Sequence, residues 1–227
     1  MFSAYLKSDF LKTRRLSVVK AHLLISVAAA ALFLVYYAWA PWGSSEKINI
    51  FYQVLGMGLP FLIGLFCSML AEQEQAAGAF QNMLAAPGRR LPFLSKLLLL
   101  LLFGLGAVLL ASGIFGIVFL AGFEETVVGT DFYLIVSMVL WGSSIPLYVF
   151  HLFLALKFNR GISLGLGIVE SLIAAVFLTG LGDVLWKYAP PAWPARMPAV
   201  LLQMYRGEIA AGAELSGVFP VYLAVMA

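Results

Sequence analysis

Apolar residues in this chain come in long unbroken runs. They show neither the alternation of a half-buried strand nor the one-sided stripe of a soluble helix. Crossing a bilayer core takes about 20 helical residues over about 30 Å. Five runs qualify, at roughly Ser17–Ala40, Phe51–Ala71, Leu97–Gly122, Phe132–Leu156 and Ile162–Leu181. A sixth starts near Ser216 and reaches Ala227. Its twelve residues are too few to span, and the run is read as an incomplete sixth helix. The predicted fold is all-α, one transmembrane domain over 1–227. It is a polytopic membrane bundle of six transmembrane helices with an N-terminal amphipathic elbow helix over 1–16. A membrane β-barrel would instead show segments of about ten residues with alternating polarity.

The segments between the runs carry the polar residues. In 1–16, Phe2, Leu6 and Phe10 recur at helical spacing, with Lys7, Lys12, Arg14 and Arg15 mostly elsewhere on the wheel. Asp9 sits near the apolar arc. Such a helix lies in a headgroup layer, or is a basic flank that only orients the first span. The loop 72–95 reads EQEQAAGAFQNMLAAPGRRLPFLS. Its Glu, Gln and Ala carry the second span onward as helix, and Gly78 interrupts it. Phe80, Met83 and Leu84 then form a short apolar face, Pro87-Gly88 is a stop, and Arg89 and Arg90 follow. Pro92 is placed to open a further helix into the third span. The apolar face is either a docking knob for another protein or a surface that packs back on its own bundle. The loop 182–215 holds Trp186, Pro190, Pro191, Trp193, Pro194 and Arg196, a rigid aromatic turn. A helix from Pro198, with Val200, Leu201 and Met204 on one face, is expected after it. It would be a re-entrant cap over the bundle or a helix resting at the interface.

Composition turns the pattern into a class. Of 227 residues, 63% are hydrophobic and 11% charged, against about 25% charged in soluble domains. Too few polar side chains exist to cover a soluble surface, and a disordered chain is excluded for the same reason. The position of the charges gives an orientation. With the N-terminus inside, Lys7, Lys12, Arg14, Arg15, Lys20, Arg89, Arg90, Lys96, Lys157 and Arg160 fall on the inner side. Only Lys47, Lys187, Arg196 and Arg206 fall outside. Glu46, Glu124, Glu125, Asp131, Asp183, Glu208 and Glu214 lean outward, as does the expected belt of Trp39, Trp42, Trp186 and Trp193. The N-terminus is therefore expected in the cytoplasm.

Within the spans, Gly56, Pro60, Gly64 and Ser68 recur every four residues, and Gly161, Gly165 and Gly167 open the fifth span. Small residues at this spacing allow close helix contact, inside one bundle or between subunits. Pro60 and Pro146 are expected to kink their helices and free carbonyls. Glu170 is the one acid deep in a span. It lines a substrate path, serves as a proton-linked group, or is a neutral hydrogen bonder that ties helices together. His22 and His151 receive no role. Two histidines and one buried-type Cys67 are too few for a metal cluster or a disulfide. No phosphate loop, nucleophile elbow or zinc motif occurs, so the chain is not read as an enzyme.

These residues resemble a family. The order of elbow helix, six spans, large inner loop and bent outer segment resembles the compact permease subunits of ABC exporters, the type V architecture. EQEQAAGAFQNMLAAPGRR looks like the coupling loop of that family. GISLGLGIVESLIAAVFLTGLGD and the following W-x-x-x-P-P-A-W-x-x-R resemble lantibiotic self-protection permeases. The resemblance implies a bacterial plasma-membrane subunit that pairs with a second permease subunit and with cytoplasmic ABC ATPase subunits. ATP and Mg would sit on those partners, and this chain would bind no cofactor itself. The cargo would be an amphipathic peptide, with no nucleic acid involved. The coupling residues would be Glu72, Glu74, Gly78, Phe80, Met83, Leu84, Arg89 and Arg90. A proton-coupled secondary transporter using Glu170, and a non-transporting scaffold or receptor subunit, are the competing readings.

Overall fold

The computed structural model describes residues 2–13, 17–86, 88, 90–122, 128–209 and 217–226. Arg14, Arg15, Pro87, Arg89, Glu124, Glu125 and Glu214 lie outside the described residues. Among the described residues there are nine α-helices and no strand. They are α1 (Phe2–Thr13), α2 (Ser17–Tyr37), α3 (Ser44–Ala76), α4 (Gln81–Leu84), α5 (Arg90–Gly122), α6 (Thr130–Lys157), α7 (Arg160–Phe177), α8 (Trp193–Tyr205) and α9 (Val218–Met226). Five of them (α2, α3, α5, α6 and α7) are long and apolar enough to cross a membrane. The expectation was six; α9 has nine described residues, too few to cross.

Helix α3 is the spine. It packs against α6, α7 and α8, while α5 carries α2 on one flank and α6 on another. With 33 residues, α3 is about 50 Å long, well beyond a bilayer core. The expected span 51–71 was shorter because the polar Ser44–Lys47 and Glu72–Gln75 turns are helical as well. The core has two stacked parts. Ile63, Phe66, Leu70, Leu100 and Leu152 fill the end nearer α1 and α4. The other end is aromatic, with Phe51 stacked on Phe115 at 3.9 Å and Tyr37, Tyr52 and Phe132 around them.

Small residues explain the close contacts. A Cβ placed on Gly167 would lie 2.9 Å from the Pro60 carbonyl oxygen, and one on Gly64 2.8 Å from that of Ser163. The four-residue stripe of α3 thus packs inside the bundle. Its partner on α7 is Gly167; Gly165 has open space around it. The prolines act through what they leave unpaired. Beside Pro60, the Phe61 amide donates to Ser171 Oγ of α7 at 3.2 Å. Pro146 has no N–H for the Gly142 carbonyl four residues earlier. The Tyr222 hydroxyl of α9 donates to that oxygen at 3.1 Å. Tyr222→Phe is therefore expected to cost about 1 kcal/mol of local stability. Hydrogen exchange should read this as roughly fivefold faster opening of 217–226, with α6 unchanged.

Helix α1 departs from its expected face. Asp9 and Thr13 are its buried residues, whereas Phe10 is exposed. The reason is electrostatic: α1 lies on α5, and Asp9 meets Ser95 and Lys96 there.

After α7 the chain folds back into the bundle. Three short turns of 3-10 helix, at Gly180–Gly182, Trp186–Tyr188 and Pro190–Ala192, lead into α8. The backbone at Pro194–Ala195 presses on Gly56 of α3 so closely that a Cβ there would overlap the Pro194 carbonyl. Trp186 and Trp193 are buried in a cluster with Ala192, Val200 and Val218. Both side chains turn inward, and the Trp193 indole N–H donates to the Lys187 carbonyl at 3.0 Å. Trp39 remains exposed. Helix α8 begins at Trp193, not at Pro198, because Pro194 suits a first helical turn.

Candidate functional sites

The end of the bundle that carries α4 has a designed break. Helix α3 stops at Ala76, and Gly78 takes φ +136°. Ala79 and Phe80 follow at φ 49° and 64°, left-handed positions that side-chain-bearing residues rarely occupy. This reverses the chain and starts the single turn α4. Leu84 at its end is 62% exposed, while Phe80 and Met83 are half-buried. Met83 turns toward a cavity shared with Tyr5, Lys12, Glu74 and Lys96. Arg90, the first residue of α5, is exposed. Glu72 is exposed and pairs with Arg160 of α7 at 3.0 Å. The result is an outward surface of Glu72, Arg160, Gly78, Leu84 and Arg90.

Glu74 faces the other way. It is buried, 3.0 Å from Lys96 and 3.2 Å from Lys12. Lys96 in turn sits 2.9 Å from Asp9, whose second oxygen accepts from the Ser95 hydroxyl at 2.6 Å. One buried ammonium therefore holds two carboxylates and joins α1, α3 and α5. Partners missed at the sequence level are Asp9, Lys12, Lys96 and Arg160. The signal for Lys96 was present: a lysine just inside an apolar run needs an acid nearby.

The second site lies within the membrane-crossing helices. His151 Nε2 of α6 is 2.7 Å from Glu170 Oε2 of α7. His151 Nδ1 is 3.0 Å from Ser163 Oγ, which also donates to the Gly64 carbonyl at 3.3 Å. His151 was given no role from sequence, although two ionisable groups in neighbouring apolar helices have every reason to meet. Glu170 also lines a cavity of about 510 Å³ bounded by α5, α6, α9 and Pro190–Pro191.

The expected outer cap braces α7. Arg196 of α8 donates through Nε to the Phe177 carbonyl at 2.6 Å. Its Nη2 reaches the Thr179 carbonyl at 3.0 Å and Asp183 Oδ1 at 2.7 Å. Carbonyls left open at the end of a helix are thus satisfied by one guanidinium. Pro190 lines the Glu170 cavity. Trp186 and Trp193 pack beneath, with Trp193 5.6 Å from Tyr222.

A family model described as "ABC-2 family transporter protein" matches residues 5–177, from α1 to the end of α7. The chain belongs to the ABC-2 transporter family. As an ABC-2 member it is a multi-pass membrane permease component of an ABC transporter. Membership implies a lipid bilayer around it and an ATPase partner beside it; the permease is the transport component and not the catalytic one. The match ends at Phe177, so the folded-back segment, α8 and α9 lie beyond it. Neither the curated proteins nor the solved structures contain a match to this ABC-2 chain.

Proposed function

We propose that this ABC-2 permease subunit exports a lantibiotic or a similar amphipathic antimicrobial peptide from the bacterial plasma membrane, protecting the cell that carries it. Its N-terminus faces the cytoplasm, as the excess of lysine and arginine at that end supports. It pairs with a second permease subunit and with cytoplasmic ATPase subunits that hold ATP and Mg. The observation that carries the reading is the loop end. Among the described residues it offers Leu84 as an exposed apolar side chain, with Glu72, Arg160 and Arg90 exposed at the same end of the bundle. An apolar anchor inside a charged rim is how a small docking site is built.

The mechanism follows from rigidity. ATP-driven closure of the partners pushes on α4 and the end of α3. Glu74 locks that end to α1 and α5 through Lys96. Helix α3 runs unbroken from there past Gly64, against Ser163 and His151, to Gly56, against Pro194. A shift of α3 therefore reaches both the polar pair and the folded-back segment. Two packings of such a bundle are biased by ATP only through a mechanical contact of this kind.

The test uses the permease co-expressed with its ATPase. Leu84→Asp is expected to weaken association by about 2 kcal/mol, roughly 30-fold, and to lower peptide-stimulated ATP hydrolysis, with insertion unaffected. Unchanged association and unchanged stimulation would refute the docking role. The short His151–Glu170 pair favours one second reading, a proton-coupled carrier. That reading requires proton-dependent peptide flux without any ATPase, lost in Glu170→Gln.

A further inference from the structure

The geometry points to the Glu170 cavity as a binding site for amphipathic cations, molecules with an ammonium head and an apolar body. The cavity of about 510 Å³ falls within the range of about 300–1,000 Å³ typical of ligand pockets. Its walls are Phe150, Phe153, Pro190, Pro191, Val225 and Met226. Phe150 and Phe153 are 43% and 46% exposed, so the rest of the chain does not close off the wall they form.

Glu170 is the one ionisable residue among the described lining residues. The residue is only 9% exposed. His151 binds its Oε2, and Oε1 has no hydrogen-bond partner among the described residues. A carboxylate in apolar surroundings with an unused oxygen is costly, and a cationic head relieves that cost. His151 cannot swing to serve both oxygens, because Ser163 holds its other nitrogen. The Phe150 ring favours a cation further, whereas Phe153 already carries the Lys157 ammonium 5.0 Å from its ring centroid. An anionic head would instead meet Glu170 with like charge. Apolar walls take the body, so the selective element is the head group.

This deepens the exporter reading, on which it rests only for where the bound molecule goes next; binding itself needs no ATPase. The experiment uses the full chain in zwitterionic lipid nanodiscs, without ATPase or ATP. Two photoreactive probes are compared, a diazirine-bearing dodecylamine and a diazirine-bearing dodecanoic acid. Adducts are mapped by peptide mass spectrometry. The amine is expected to label 146–153 and 190–191 about tenfold more than the acid. Glu170→Gln is expected to abolish that preference, and Glu170→Asp to keep part of it. Should Glu170→Gln fail to fold, Val149→Trp fills the cavity while keeping the carboxylate, and labelling is expected to fall about tenfold. Equal labelling by both probes in the native chain overturns the inference. So does a preference that survives in folded Glu170→Gln, or amine labelling that stays undiminished in folded Val149→Trp. A failed exporter reading would show itself separately, as loss of ATPase docking with the labelling preference intact.

Discussion

Replacing Lys96 with methionine is expected to destabilise the bundle by about 3–5 kcal/mol, because it strips the shared cation from two buried carboxylates. Among the described residues, Asp9 loses its ion-pair partner and keeps the Ser95 hydroxyl, while Glu74 keeps Lys12. The ammonium is 3% exposed, so water does not screen the loss. The effect should appear as a lower melting temperature in detergent and as faster hydrogen exchange in 2–13. Adding Asp9→Asn to Lys96→Met should recover part of the loss, since a neutral amide is cheaper to bury than an unpaired carboxylate. An unchanged melting temperature for the single variant would mean that the three helices are held by apolar packing alone. The exposed Glu72–Arg160 pair is a useful contrast, since pairs of that kind contribute about 0–1 kcal/mol.

Gly56→Ala is the second large effect. One methyl group at this position overlaps the Pro194 carbonyl and the Ala195 amide, which are backbone atoms and cannot rotate aside. The folded-back segment must lift off α3, at a cost of about 1–3 kcal/mol. Gly58→Ala, two residues on in the same helix, meets nothing within 4 Å. It should be neutral or stabilising by up to about 1 kcal/mol, since alanine is the better helix former. Melting the two variants side by side separates propensity from contact. If Gly56→Ala melts no lower than Gly58→Ala, the segment 178–205 does not bear on α3 as described.

The helical class and the five crossings were legible because apolar runs of about 20 residues admit few other structures. The break at Gly78, with its short helix, and the opening of α5 near Pro92 were legible from backbone chemistry. Ion pairing was not. Asp9 looked like a flaw in an amphipathic stripe, yet it is the residue that fastens α1. Its partner Lys96 lies 87 positions away, a separation that no periodicity reports. His151 and Glu170 were each visible as polar exceptions, but their pairing depends on the rotation of α6 against α7. Both helices lean on α3 there: Gly64 meets Ser163 of α7 and His151 of α6, and Gly167 of α7 meets Pro60. The burial of Trp186 and Trp193 was not legible, because it depends on three short turns between α7 and α8 that carry them inward.

The central claim is that the Glu72–Arg90 end of the bundle receives the ATPase and that α3 carries the motion inward. A photocrosslinking residue at position 84, in the permease co-expressed with its ATPase, tests it most directly. Position 184, on the 76% exposed Val184 of the segment beyond α7, is the control. The account predicts a crosslink to the ATPase from 84, changed in yield by ATP, and none from 184. A crosslink from 184 and none from 84 would contradict it.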